Sequence, residues 1–207
     1  MPIEAYNDNV FLNCPFDPEY RQIFNAIVFT IYDCGFAARC SLEEDASGDA
    51  RFAKILDIIA ECRYSINDIS RTELDKSTAL PRFNMPCELG VFIGARRFGN
   101  PDQRLKKFLI LDKEQYRYQQ FISDLSGYDI QSHGNDAQSA WGRVRDWLVV
   151  ASRRRLIPDK GVIWDHYLDF LDSLPEYCRA RRLEPNNLVF IEFSFAVTDF
   201  LTEIESE

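Results

Sequence analysis

No glycine-rich phosphate loop occurs in this 207-residue chain. There is no G-x-G-x-x-G after its first apolar run and no G-K-[ST], so the ordinary dinucleotide fingerprint and the P-loop are both excluded. Histidine is scarce. His133 and His166 are the only two, and they share no motif with carboxylates or with each other, which speaks against a metal hydrolase and leaves each to read as structural or exposed. The six cysteines (14, 34, 40, 62, 87 and 178) form no Cys-x-x-Cys pair and no zinc-like spacing. Most lie in apolar segments, where a thiol behaves as a small hydrophobe, so reduced cysteines in a cytoplasmic protein are expected. Met1-Pro2-Ile3-Glu4-Ala5 has neither a basic nor an apolar signal region, and no apolar run is long enough to span a bilayer. Positive charge is in deficit too. With 24 Lys and Arg against 33 Asp and Glu the formal charge is −9, and a sequence-independent grip on nucleic acid is not expected. Arg96, Arg97, Arg104, Lys106 and Lys107 cluster nevertheless, as do Arg153, Arg154 and Arg155. Each group reads as a solvated helix end beside a loop, or as a local basic groove.

Apolar and aromatic residues are plentiful, with 16 Phe, 9 Tyr and 3 Trp, enough for the core of one large domain or of a domain with a helical extension. Asn9-Val10-Phe11-Leu12-Asn13 is a short apolar run ended by the turn signal Cys14-Pro15-Phe16-Asp17-Pro18, and predicts a buried strand. A helix follows over 19–34, stopped by Gly35, then a strand over 36–40 and a second helix carrying Phe52, Ile55, Leu56 and Ile59. Strands are predicted over 64–69 and 107–112, separated by a polar loop and a helix that Gly99 stops. Residues 116–125 read as helical, 129–133 as a short fifth strand, and 136–156, 162–174 and 188–204 as helices, although Val189 to Phe195 can also pair as a strand. Alternating strands and helices with right-handed crossovers give an α/β fold. The architecture expected is a flavodoxin-like three-layer sandwich around a mostly parallel sheet, residues 1–134, with a helical C-terminal extension, 135–207, packed on it. Ligands in such sheets sit at the carboxyl ends of the strands, which marks Asn13, Arg39 or Cys40, Asp68 and Asp112 as the rim.

The segment Asn84-Met85-Pro86-Cys87-Glu88-Leu89-Gly90 stands out. Pro86 suits a first helical position and Asn84 a cap, so Glu88 is expected in the first turn of a helix that follows a strand ending in Asp68. A glutamate there either complements the helix dipole or is held rigidly for chemistry. Cys87 beside it reads as helix packing or as a nucleophile with no histidine near in sequence. The polar rim groups otherwise comprise Asp68, Asn13, Arg39, Asp45, Ser70 and Asn84. Carboxylates with little else suit glycosyl chemistry, because the C1–N bond of a nucleoside breaks through an oxocarbenium-like state that a carboxylate can stabilise or attack. Asp68 is either a strand-end turn residue or the group that orients sugar hydroxyls or protonates the departing base, with Phe83 or Phe11 stacking on that base.

The order of parts, Val10 to Asn13, then Tyr64-Ser65-Ile66-Asn67-Asp68-Ile69-Ser70, then Glu88-Leu89-Gly90, resembles the nucleoside 2-deoxyribosyltransferase-like superfamily and the related TIR domains. It is similar in particular to an uncharacterised bacterial group with N-C-P-F-D near the start and R-F-N-M-P-x-E-L-G in the core. The likeness spans residues 9–112. It implies that Glu88 is the ribosyl-attacking or ribosyl-stabilising carboxylate and that Asp68 lines the same pocket. The transferases carry an aspartate–glycine feature before the glutamate, where this chain has Arg82-Phe83-Asn84; Arg82 then favours a phosphate-bearing substrate, NAD or a nucleoside monophosphate. The expected function is N-glycosidic cleavage or transfer. Glu88 and Asp68 are its expected catalytic groups, Phe11, Asn13, Arg39, Ser70, Arg82, Phe83 and Asn84 bind the substrate, and neither metal nor prosthetic group is involved. The alternative is a non-catalytic TIR-like module that senses a nucleotide or binds protein. The resemblance also implies a possible homo-oligomer and a setting in anti-phage defence.

Overall fold

The computed structural model describes residues 6–43, 51–74 and 79–206. Five parallel strands, β1 (Asn9–Asn13), β2 (Ala37–Arg39), β3 (Tyr64–Asp68), β4 (Lys107–Asp112) and β5 (Ile130–Ser132), form one sheet in the order β2-β1-β3-β4-β5. β1 is paired with β2 and β3 from the same end, Val10 opposite both Ala38 and Tyr64. The chain winds outward from β1 in both directions, so the order reverses between β1 and β3. That is the flavodoxin-like arrangement, and the expected fold class holds.

Period-two alternation sorts the strand side chains onto two faces. Val10, Leu12, Tyr64, Ile66, Leu109 and Leu111 face one core, and Phe11 joins Ile55, Ile59 and Phe92 on the other. The first face is covered by α1 (Arg21–Asp33) and α4 (Ala137–Ser152), the second by α2 (Arg51–Glu61) and α3 (Asn84–Phe98). Gly35 ends α1 with φ +75°, a left-handed conformation that costs glycine little. Its N–H donates to Tyr32 O (2.8 Å) and the Phe36 N–H to Ile31 O (3.0 Å), so the last carbonyls are satisfied.

α1 is apolar all round, and both of its sides are covered. Ile23, Phe24, Ala26 to Thr30 and Ile31 are all buried. The sheet takes one side, and α5 (Lys160–Arg181) and α6 (Phe190–Ile204) take the other. Phe29 is the hinge of that packing, with ring centroids 5.2 Å from Tyr167, 5.3 Å from Phe170 and 6.2 Å from Phe200. The hydrophobic cluster therefore runs without a break across the expected 134/135 boundary, from Val10 through Trp141 and Val144 to Phe193. Residues 188–204 are helical from Phe190 onward, which resolves the strand alternative, and 116–125 divide into two short 3-10 turns, Arg117–Gln120 and Ser123–Leu125. Among the described residues no helix is long and apolar enough to cross a membrane.

Because Phe29 joins the two helical layers, Phe29→Ala is expected to destabilise the whole unit by about 3–5 kcal/mol. Urea unfolding should remain a single transition when followed by both tryptophan fluorescence and far-UV circular dichroism. Early melting of the fluorescence signal alone would show that the C-terminal helices form a separate unit.

Candidate functional site

The order reversal lies between the carboxyl ends of β1 and β3, where open α/β sheets place ligands. The protein's own side chains tie those ends together on both faces. On the α3 face the Asn13 side-chain amide donates to Asn67 Oδ1 (3.1 Å) and to Met85 O (2.7 Å), fastening the start of α3 to both strands. On the α1 face Tyr20 donates its hydroxyl to Asp68 Oδ2 at 2.5 Å. Arg71 reaches from the loop after β3 to Asp17 (3.3 Å) and Glu19 (2.9 Å) in the loop after β1.

Asp68 is fully buried at the end of the central strand. Its Oδ1 accepts the Ser70 N–H (2.8 Å), and its Oδ2 takes the Tyr20 hydroxyl and lies 2.9 Å from His133 Nε2. Ser70 Oγ sits 2.9 Å from that same Nε2. The Asn135 N–H donates to His133 Nδ1 (3.1 Å), so Nδ1 is the acceptor and the ring proton is on Nε2. A serine nucleophile and its orienting carboxylate engage opposite ring nitrogens in a Ser-His-Asp triad. Here both crowd one nitrogen, and Tyr20, Asp68, Ser70 and His133 are all buried. The cluster joins the β1–α1 loop to the ends of β3 and β5 and holds no reactive nucleophile. Burial and the Asp68 charge also raise the Tyr20 hydroxyl and the Cys14 thiol well above their ordinary values, so neither is a ready base or nucleophile.

Glu88 has a different environment. It is buried on α3, and no hydrogen bond to another described residue engages its carboxylate. Burial pushes it up to about 7, opposed by the Arg51 guanidinium at the start of α2. The helix begins at Asn84, with Phe83 as the flanking residue, so Asn84 is not the cap, Pro86 is the third helical residue and Glu88 lies beyond the first turn. Proline is tolerated there because the first four helical N–H groups have no intrahelical partner. Glu88 is therefore too deep in the helix to serve as a dipole complement. It is an acid of near-neutral pKa, suited to moving a proton at physiological pH.

No hydrogen bond or ion pair among the described residues joins the two expected catalytic carboxylates. Asp68 is bonded to Tyr20 and His133 on the α1 face, and Glu88 lies on a helix covering the other. Phe11 is fully buried among Ile55, Ile59 and Phe92, so it cannot stack on a ligand. Arg39 is ion-paired with Glu43 (2.7 Å) and Glu61 (3.1 Å). Asn13 and Ser70 are buried and bonded to protein groups, whereas Arg82, Phe83 and Asn84 are exposed at the mouth of α3 beside exposed Cys87. Asp112 is taken by Arg117, whose guanidinium donates to its Oδ1 at 2.6 and 2.8 Å. Asp45 lies outside the described residues. No protein-family model, curated protein or solved structure matches this chain. Its chemistry must be read from its own residues. Sequence reasoning missed His133 and Tyr20 as partners of Asp68. No local signal could have found them, since 48 residues separate Tyr20 from Asp68 and each meets it only through the fold.

Two stability measurements follow. Asp68→Ala leaves the Tyr20 hydroxyl and the Ser70 N–H without an acceptor, and the His133 Nε2–H with Ser70 Oγ alone, and is expected to cost about 3 kcal/mol or more, against about 1 kcal/mol for Ser70→Ala. Equal losses would show that Asp68 is not the main acceptor. For Glu88 the folded-state value lies above the ordinary 4.5, so the penalty for ionising it is absent below pH 4.5 and complete above about 7. Stability must then fall as pH rises through that window, by roughly 2–3 kcal/mol relative to Glu88→Gln. Urea unfolding of both proteins at pH 4.5 and 7.5 checks this, and parallel pH profiles would refute it.

Proposed function

We propose that this protein cleaves or transfers at the N-glycosidic bond of a phosphate-bearing nucleotide, with Glu88 as the working carboxyl group. The observation carrying the reading is Glu88 itself: a buried acid raised to about 7, without a hydrogen-bond partner among the described residues, on the helix that follows the central strand. Structural carboxylates are ordinarily satisfied by protein donors, and a largely buried one without any is a functional candidate. Arg82, Phe83 and Asn84, exposed at the mouth of the same helix, are the groups proposed to meet phosphate and base. Asn13 acts as a positioning residue, through its bond to Met85 O at the start of that helix.

NAD demands least of such a site. When its C1′–N bond breaks, the bonding pair returns to the pyridinium nitrogen and nicotinamide leaves neutral, with no proton required. Water adds to C1′ and passes its proton to the Glu88 carboxylate, which releases it to solvent. A nucleoside monophosphate needs a second acid to protonate its base, and Asp68, fully buried among its own partners, does not offer one. Asp68 is instead assigned to holding the two loops at the order reversal.

The same engagement of Asp68 favours a second reading, a non-catalytic module that binds a nucleotide or a protein, because the β1–β3 reversal is tied across by Tyr20, Arg71 and Asn13. Incubation with NAD and a panel of nucleosides and nucleotides, followed by chromatography of released nicotinamide or base, separates the two. Under the catalytic reading turnover falls by about 100-fold or more in Glu88→Gln, and the wild-type pH profile bends near 7. A folded protein inert on every candidate, or turnover that survives Glu88→Gln, would leave the binding module as the reading to pursue.

A further inference from the structure

The basic cluster of residues 96–107 is divided by the fold. Lys106 turns inward, donating to Ile59 O (2.6 Å) and to Cys62 O at the end of α2, with Phe92 beneath its ammonium. Lys107 caps α4 through Ala151 O (2.5 Å). The arginines do neither. Arg96 and Arg97 from the last turn of α3 and Arg104 from the short turn before β4 line a cavity of about 590 Å³, completed by Ile93, Phe108 and Tyr128. Among the described residues Arg96 and Arg97 have no ion-pair partner, and the one hydrogen bond from the Arg104 side chain goes to Gly99 O (3.0 Å). Among the described residues no acidic side chain lines the cavity, in a chain whose formal charge is −9.

We propose that this cavity binds a nucleoside diphosphate. Three guanidinium groups without carboxylate partners match the roughly three negative charges of a diphosphate, and guanidinium pairs with phosphate oxygens bidentately. Phe108 and Tyr128 stand at 5.2 Å and 64° to each other, with Arg96 over the Phe108 ring at 5.6 Å, which provides aromatic surface beside the phosphate-binding groups. The volume suits a ligand of this size. A nucleic-acid strand is the weaker fit, since the chain as a whole carries a formal charge of −9 and an extended polyanion needs more cations than these three. Lys107 is pushed below its ordinary value by burial and then by Arg63, Arg153 and Arg96. A helix dipole alone would account for Arg96 and Arg97, but not for the convergence of Arg104 and Tyr128 from two other segments.

This site is distinct from Glu88. It lies at the amino ends of the strands, where β4 begins, and about 12 Å further along α3 at 1.5 Å per residue. Titration calorimetry of the intact protein with ADP tests the proposal, with inorganic phosphate, adenosine and a single-stranded DNA 12-mer as parallel probes. ADP is expected to bind one to one, about 30-fold more weakly in Arg96→Ala/Arg97→Ala and severalfold more weakly in Tyr128→Leu. Its affinity should be unchanged in Glu88→Gln, and inorganic phosphate and adenosine should each bind at least about tenfold more weakly than ADP. All substituted positions are at least partly exposed except Glu88, and circular dichroism verifies the fold of each variant. The proposal is overturned by absence of ADP binding at millimolar concentration, or by an unchanged affinity in the double arginine variant. Equal binding of phosphate and ADP, loss of ADP binding in Glu88→Gln, or tighter binding of the DNA strand would overturn it as well.

Discussion

A carboxylate sealed at the end of the central strand sets the terms for the carboxyl edge of this protein. Asp68 has no access to water, so every lone pair it presents must be met by a protein donor or the fold bears the desolvation cost. The donors come from three places: the Tyr20 hydroxyl after β1, the Ser70 amide after β3 itself, and the His133 ring after β5. Satisfying one group therefore fixes three connections at once. Arg117 does similar work one strand away, spanning Asp112 and the Ile69 carbonyl, so the ends of β3 and β4 and the loop between β3 and α3 are held to one another.

The amino-terminal helix is the second constraint. An α-helix with one apolar stripe is stable on a single sheet face, but α1 has apolar groups all round. Its outward-facing Phe24 and Phe29 need cover, and Phe190, Tyr167, Phe170 and Phe200 provide it. The C-terminal helices thus complete the burial of a helix encoded near the start of the chain. Glu88 contrasts with Asp68. One acid is buried and fully partnered; the other is buried with no hydrogen-bond partner among the described residues, and burial raises its proton affinity to about 7. Equivalent chemistry in the sequence thus ends in two different physical states.

Strand and helix positions were legible because they depend on local signals. The 107–112 strand matches β4 residue for residue, Gly35 and Gly99 end helices where a break was expected, and Asp136 caps α4 by accepting the Ser139 N–H (2.6 Å). Gly99 is needed for space rather than for φ, since a Cβ there would lie 2.4 Å from Ala95 O. The start of α3 was misread by two residues because Asn84 and Pro86 satisfy cap preferences at more than one register. Site residues fared differently. Arg39 was placed at the rim by strand position and Phe11 was offered as a stacking aromatic, but β1 is covered on both faces and Arg39 has two carboxylates within reach.

What the sequence determined alone was periodicity and punctuation: five strands, their crossovers, a parallel sheet, and an acid on the helix after the central strand. These follow from neighbours a few residues apart. Which acid is left unpartnered, which histidine meets which carboxylate, and which arginines keep their charge free were decided by tertiary structure. Those properties depend on desolvation and on donors brought in from tens of residues away, such as His133 to Ser70 and Asp68. Local pattern carries no record of either.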